Sequence, residues 1–438
     1  MEQDITEAVV RLTYQLALIL VAAKLGGEIC IRYLKVPPVL GELVAGVLIG
    51  PFALGGIDLI GIGHMFPVPL GFEEGGGGIP LSIELYSFGQ IAAVVLLFAA
   101  GLETNLKQFL RFAGPASAVA IGGVLLPFVL GVAATVLFGF ADGVGDPRAL
   151  FIGAILTATS VGITARVLSD LNAMASPEGV TVLAAAVVDD VLGILILTIV
   201  VGMNATGSIS LTDVMVIGGK AVGFWLGLMI VGIVLAKTIS RLLESFRVPG
   251  ADIALALALA FFAAALAESF GLAMIIGAYT IGLALSGTNL AERLEEPITA
   301  VYHAIVPVFF VSMGMLVDLA AIQGVLAFGL VITALAILSK VIGSGLPALA
   351  TGFNLRGSWR VGIGMLPRGE VALIIAGIGL TRGIIGSDLF GVSIMMTLVT
   401  TLMAPIILVP LFRHGGSGRR RQVTESTLPA DNGLEADS

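Results

Sequence analysis

The sequence predicts an all-α polytopic membrane protein of about thirteen transmembrane helices, arranged as inverted repeats with two discontinuous helices. Three observations carry that expectation. First, 438 residues hold only 22 basic and 30 acidic side chains, 12% charged against 57% hydrophobic, with a mean hydropathy of +1.07. Soluble domains carry about 25% charged residues, so lipid rather than water must cover most of this surface. Second, apolar stretches of membrane-spanning length follow one another along the chain. Third, the few ionisable residues inside those stretches fall into a small set of clusters. This composition excludes a soluble enzyme, a disordered chain and a nucleic-acid binder. A single cysteine, Cys30, excludes an intrachain disulfide or a thiolate metal site, and no cofactor motif is present.

The expected spans, in order, are 8–34, 38–50, 83–102, 115–140, 149–171, 179–203, 212–243, 250–269, 271–288, 297–319, 324–351, 358–382 and 387–412. The first is too long, and too acidic at its start (Glu2, Asp4, Glu7), to be a cleavable signal. The second ends at Gly50-Pro51. The ninth is short and is divided from the eighth only around Phe270. Basic residues set the orientation. With the C-terminus cytoplasmic, Lys and Arg cluster in the inner loops, from Arg32 and Lys35 to Arg413 and Arg419 to Arg421. Only Arg148 and Arg382 fall outside, and the outer loop 51–82 has neither Lys nor Arg. The expectation is therefore a multi-pass protein of the plasma or cell inner membrane with its N-terminus outside. Residues 1–413 form the membrane domain, and 414–438, polar and ending in acids, form a disordered cytoplasmic tail.

Two stretches echo each other. In 96–106 and 309–319, Gly101 aligns with Gly314, Asn105 with Asp318 and Leu106 with Leu319. Gly46 and Gly282 each stand five residues after a glycine, Gly41 and Gly277. The paired helices run in opposite directions under this orientation, the mark of an inverted repeat and of secondary transporters.

The intramembrane charges then point to chemistry. Asp189 and Asp190 sit in the middle of an apolar span, where each acid costs about 2.5–3.5 kcal/mol on insertion scales. Asn or Ser would serve mere packing more cheaply. Adjacent helical residues point about 100° apart, so the two carboxylates take separate roles. Lys340, deep in another apolar span, is the natural partner, since a paired ammonium keeps its charge where a lone one would lose it. Thr157, Thr159, Ser160 and Thr164 cluster around Gly162. Such hydroxyls and freed carbonyls suit an interrupted helix that coordinates a bare Na⁺, Li⁺ or K⁺. Pro367, Gly364 and Gly369 beside Arg368 and Glu370 mark a second broken helix. There Arg368 and Glu370 are expected to compensate the break structurally, with Arg166 joining them. Lys24 and Glu28 are expected to pair along one helix, His303 to pack, and Glu268 to snorkel or cap. No phosphate loop, zinc-protease motif or serine elbow occurs, so the protein is not expected to be an enzyme.

Taken together, Thr157 to Thr164, Val188-Asp189-Asp190-Val191-Leu192-Gly193, Ser339-Lys340-Val341-Ile342-Gly343 and Pro367-Arg368-Gly369-Glu370 resemble the monovalent cation:proton antiporter-2 family. Pro37 to Pro51 and Gly277 to Ser286 resemble it too, so the likeness covers about 8–412. The Asp-Asp pair with its lysine is similar to that of NapA-type bacterial sodium/proton antiporters. The resemblance implies a homodimer, with a dimerisation part mainly in 8–102 and 212–319 and a mobile core mainly in 115–203 and 324–412. It implies that the broken helices cross at the midplane, that Asp190 binds the cation (Na⁺) and the proton, and that Asp189 pairs with Lys340. The implied function is secondary antiport of Na⁺ or Li⁺ against protons by alternating access. The alternatives are a K⁺/H⁺ antiporter on the same fold and a sodium-coupled organic anion symporter.

Overall fold

The computed structural model describes residues 2–59, 63–69, 79–206, 211–318, 320–413 and 415–420. Fifteen α-helices make up nearly all of it. Helix α1 (Glu2–Ile29) runs into a π-helical turn (Cys30–Leu34) that ends at Lys35 in the left-handed region, with φ 56°. Next come α2 (Pro38–Ile49), a two-residue hairpin of β1 (Asp58–Leu59) and β2 (Gly63–His64), and α3 (Ile83–Glu103). Then follow α4 (Leu106–Leu137), α5 (Pro147–Thr157), α6 (Val161–Asp170), α7 (Pro177–Thr206), α8 (Leu211–Glu244), α9 (Ala251–Ser269) and α10 (Met274–Leu285). The last are α11 (Asn289–Met315), a 3₁₀ segment (Ala320–Val325), α12 (Leu326–Ala350), α13 (Leu355–Gly364), α14 (Glu370–Thr381) and α15 (Ser387–Arg413). The glycine-rich part of the loop 51–82, residues 70–78, lies outside the described residues.

Eleven stretches among the described residues are long and apolar enough to cross a membrane, the α5–α6 pair counting as one. The short α10 and the α13–α14 pair bring the segments to thirteen, matching the sequence expectation. Two boundaries differ for one reason. The spans expected from 115 and 297 begin instead at Leu106 and Asn289, and Pro115 and Pro297 lie inside the helices. Asn105 caps α4 by accepting the Gln108 amide at 3.1 Å. A proline removes one donor, but a helix in lipid keeps its remaining bonds because water offers no alternative. The polar first turns, with Lys107 and Arg111, hid the true start.

The helices pack in two groups. In one, α10 lies against α3, α8 and α9, while α11 lies against α1, α2 and α3. In the other, α4 packs on α5, α7 and α12, and α12 packs on α13 and α15. Close approaches occur where Gly faces Gly. A Cβ on either Gly122 or Gly343 would collide with the other's carbonyl, so α4 and α12 meet backbone to backbone. Gly46 on α2 meets Gly314 on α11 in this way, and Gly282 on α10 meets Gly101 on α3. Large apolar side chains of α1 and α8 (Tyr14, Val21, Leu25, Ile230, Val234) point outward and are exposed, as a lipid-facing or protein-facing surface requires.

Residues 415–420 fall in the stretch expected to be a disordered tail. They are instead fastened to the end of α13 and the turn before it. Asn354 takes the Gly418 carbonyl on its amide at 2.9 Å, the Arg420 amide reaches the Gly352 carbonyl at 3.1 Å, and Arg419 stacks over Phe112 and Phe353. Residues 414 and 421–438 lie outside the described residues.

Candidate ion-binding site

Helix α5 stops at Thr157, residues 158–160 are non-helical, and α6 resumes at Val161. Helix α13 stops at Gly364, 366–369 are non-helical, and α14 resumes at Glu370. These two interruptions lie against each other. The Ser160 amide donates to the Pro367 carbonyl at 2.7 Å. The Thr164 hydroxyl donates to the Gly364 carbonyl at 2.7 Å and Thr159 to that of Met365 at 3.3 Å. Each gap thus satisfies part of the other's freed backbone, the condition for irregular chain inside a bilayer.

The carbonyl end of α5 is met by two cations. Arg368, fully buried, donates to the Leu156 carbonyl at 2.5 Å and more weakly to Leu366 and Ala336. Lys340, also fully buried, donates to the Thr157 carbonyl at 2.6 Å, the Gly123 carbonyl at 2.9 Å and Asp189 Oδ1 at 3.0 Å. Three ammonium protons meet three acceptors. Positive charge at a helix C-terminus is favourable, and Asp189 supplies the compensating carboxylate. Arg368 thus lies at the break, and its own carbonyl accepts the Thr401 hydroxyl. Glu370 begins α14, and its side chain lies outside the described residues.

Asp189 and Asp190 occupy the middle of α7 and are 2% and 7% exposed. Both line a cavity of about 540 Å³. Its floor includes Ala158, at the α5 break, and Val371 of α14. One wall is α7 from Gly193 to Leu197. Tyr86 and Gln90 of α3, Glu268, Gly271 to Ile275, and Ile374 and Ile375 of α14 complete the lining. Of the four hydroxyl residues singled out in the sequence (Thr157, Thr159, Ser160 and Thr164), none lines this cavity, although Ala158 among them does. Thr157 bonds back to its own helix at the Ala154 carbonyl, 2.7 Å away. Thr159 bridges to the other break, and the buried Ser160 hydroxyl has no hydrogen-bond partner among the described residues.

Towards the N-terminal end of α7 lie several buried ion pairs. Arg166 does not join Arg368. It faces α2 instead, 3.7 Å from Glu42 and 3.3 Å from Asp170, with its guanidinium 4.9 Å from the Tyr302 ring centre. Arg360 meets Glu178 at 2.7 Å, with both buried, and also binds the Gly415 and Gly416 carbonyls. Lys24 does not pair with Glu28. It donates to the His303 carbonyl at 3.0 Å, while Glu28 lies 3.9 Å from Arg32. Sequence reasoning passed over Glu42, although a lone acid in a short apolar span was signal enough. Glu178, Arg360 and Gln90 carried no such signal, since they stand at span ends or are neutral.

A carboxylate doublet lining a cavity, beside two mutually bonded helix breaks in an apolar bundle, is the arrangement of a polytopic membrane transporter. Residues 17–414 match the family model described as sodium/hydrogen exchanger, transmembrane. The chain belongs to that family. It is 36% identical to the Na⁺/H⁺-K⁺ antiporter GerN of Bacillus cereus, over 90% of this chain and 95% of GerN. It is 35% identical to the high-affinity Na⁺/H⁺ antiporter NhaS3 of Synechocystis sp., over 94% and 92% of the respective chains. Its fold is similar to that of the sodium proton antiporter MjNhaP1 of Methanocaldococcus jannaschii, with TM-score 0.63 and 19% identity over 93% of this chain and 99% of that one.

Proposed function

We propose that the chain exchanges Na⁺ or Li⁺ for protons by alternating access, with Asp190 as the shared site. The observation that carries this is the cavity floor. Asp190 lines it, and Asp189 stands beside it with an ammonium already committed to it. A cation arriving at Asp190 displaces its proton, and a proton arriving from the other side displaces the cation. Competition for one carboxylate couples the two fluxes without ATP. The names of the relatives support the same chemistry.

Asp189 and Lys340 form the second element of the site. Their pair breaks or holds as the cation binds, which sets the number of protons moved per cation. Thr157, Thr159 and Ser160 hold the α5 break open beside Ala158, where a backbone or hydroxyl oxygen can complete the cation's shell. Arg368 and Glu370 stabilise the helix ends at the break. The cavity lies on the side of α7 towards its C-terminus, which faces outward if the C-terminal end of the chain is cytoplasmic. The group built on α4 to α7 and α12 to α15 then moves as the core against a scaffold of α1 to α3 and α8 to α11. Two such scaffolds pair as a homodimer in the plasma or cell inner membrane. The Gly46–Gly314 and Gly282–Gly101 contacts support an inverted repeat, because each uses one member of both echoing pairs.

The deciding experiment is cation-driven proton movement in proteoliposomes, read with a pH dye. Wild type should respond to Na⁺ or Li⁺ and Asp190→Asn should not. Robust exchange by Asp190→Asn would overturn the site. Potassium is the second reading, favoured by the name of the GerN relative, and the same assay with K⁺ decides it. An organic anion has less support, since no basic side chain lines the cavity among the described residues.

A further inference from the structure

Glu268 is the last-turn acid of α9, exposed at the surface, yet it lines the same cavity as Asp189 and Asp190. Its position is electrostatically unfavourable for the helix, because the C-terminal end already carries partial negative charge. Glu268 enters no ion pair among the described residues. A capping or packing role would therefore be better filled by Gln or Lys. Among the described residues the cavity is lined by three carboxylates and no Lys or Arg, and most of its lining is apolar (Leu197, Leu272, Ile275, Ile374). Lys340, which balances Asp189, lies behind the floor and does not line the space. Low-dielectric walls around charge of one sign concentrate the field and raise the local concentration of counter-ions.

We propose that Glu268 is a positioning residue for the transported cation: a carboxylate at the cavity mouth that draws a hydrated monovalent cation in and passes it to Asp190. This rests on the exchange reading above and adds a sidedness to it. Glu268 affects how readily the cation reaches the site from the cavity's side and leaves the competition at Asp190 unchanged.

The test is a Na⁺ titration of proton movement in proteoliposomes at low ionic strength. Glu268→Gln should raise the half-saturating Na⁺ at least about twofold with the maximal rate unchanged. The difference should shrink when choline chloride brings ionic strength to about 0.15 M, where the screening length falls to about 8 Å. Glu268→Asp should behave as wild type. Because Cys30 is the only native thiol, a Glu268→Cys variant in a Cys30→Ser background gives a second, internally controlled series. A sulfonate-bearing thiol reagent should lower the half-saturating Na⁺, and a trimethylammonium-bearing one should raise it. Equal half-saturation across these charge states would overturn the proposal, as would a fall in maximal rate alone. Wild-type vesicles without any cation-driven proton movement would remove the exchange reading itself, and the role of Glu268 with it.

Discussion

Lys340 shows how one residue joins packing to charge. Its ammonium donates to two carbonyls and Asp189, all within 3.0 Å. Removing one partner of a buried pair costs about 3–5 kcal/mol, because the other charge is left without compensation. Lys340→Gln should therefore lower thermal stability in detergent by a shift of that size. In vesicles it should change the dependence of exchange on membrane potential, and an unchanged voltage response would remove Lys340 from the coupling. A second residue-scale prediction lies outside the membrane. Asp146 caps α5 and takes the Arg148 guanidinium at 2.5 Å, which holds its carboxyl down at about 2, below the ordinary value of 3.8. A depressed acid contributes stability above its unfolded value and loses it as pH falls through the folded one. The stability advantage of wild type over Asp146→Asn should be full at neutral pH. It should fade from about pH 4 and vanish near pH 2, as followed by thermal melts. The doublet and Lys340 were legible in the sequence because charge in hydrocarbon is expensive. The three-way engagement of Lys340 was not, because its carbonyl partners come from α4 and α5, and only the fold brings them to α12.

At the scale of elements, the two breaks were legible from glycine, proline and hydroxyls, while their mutual hydrogen bonds were not. Arg166 is the clearest failure. Its helix, α6, leaves the break with that side chain turned to α2, a direction set by packing rather than local sequence. The strap of 415–420 was equally hidden, since Gly-rich polar sequence alone reads as disorder, and its order comes from Arg360, Asn354 and Arg356. Glu178→Gln would weaken the buried contact to Arg360, which keeps its carbonyl acceptors. A loss of about 1–3 kcal/mol is expected. Limited proteolysis should then cut within 415–420 faster than in wild type, and equal cutting rates would show that the strap does not depend on this pair.

Over the whole molecule, contacts between the two helix groups are sparse, and Glu42–Arg166 is a buried charge contact that crosses between them. If the groups slide during transport, this contact must part. Tethering α2 to α6 should therefore halt exchange. The test is a Glu42→Cys, Arg166→Cys pair in a Cys30→Ser background, bridged by a cleavable bifunctional thiol reagent. Activity should disappear on bridging and return on cleavage. Continued exchange by the bridged protein would mean that the groups do not separate there. The number of spans and the family were legible at this scale from composition and motif. The grouping rests on Gly-to-Gly approaches, which single glycines in an apolar string cannot reveal.

Helix α10 has a consequence for how the protein is made. Its twelve residues reach about 18 Å, short of a hydrocarbon layer of about 30 Å. Nearly all are enclosed by α3, α8 and α9. Emerging from the ribosome, this segment cannot span the lipid unaided and has no stable home until α3, synthesised far earlier, is waiting to receive it. The face of α3 that encloses α10 therefore stays unfilled until residue 285 has been made.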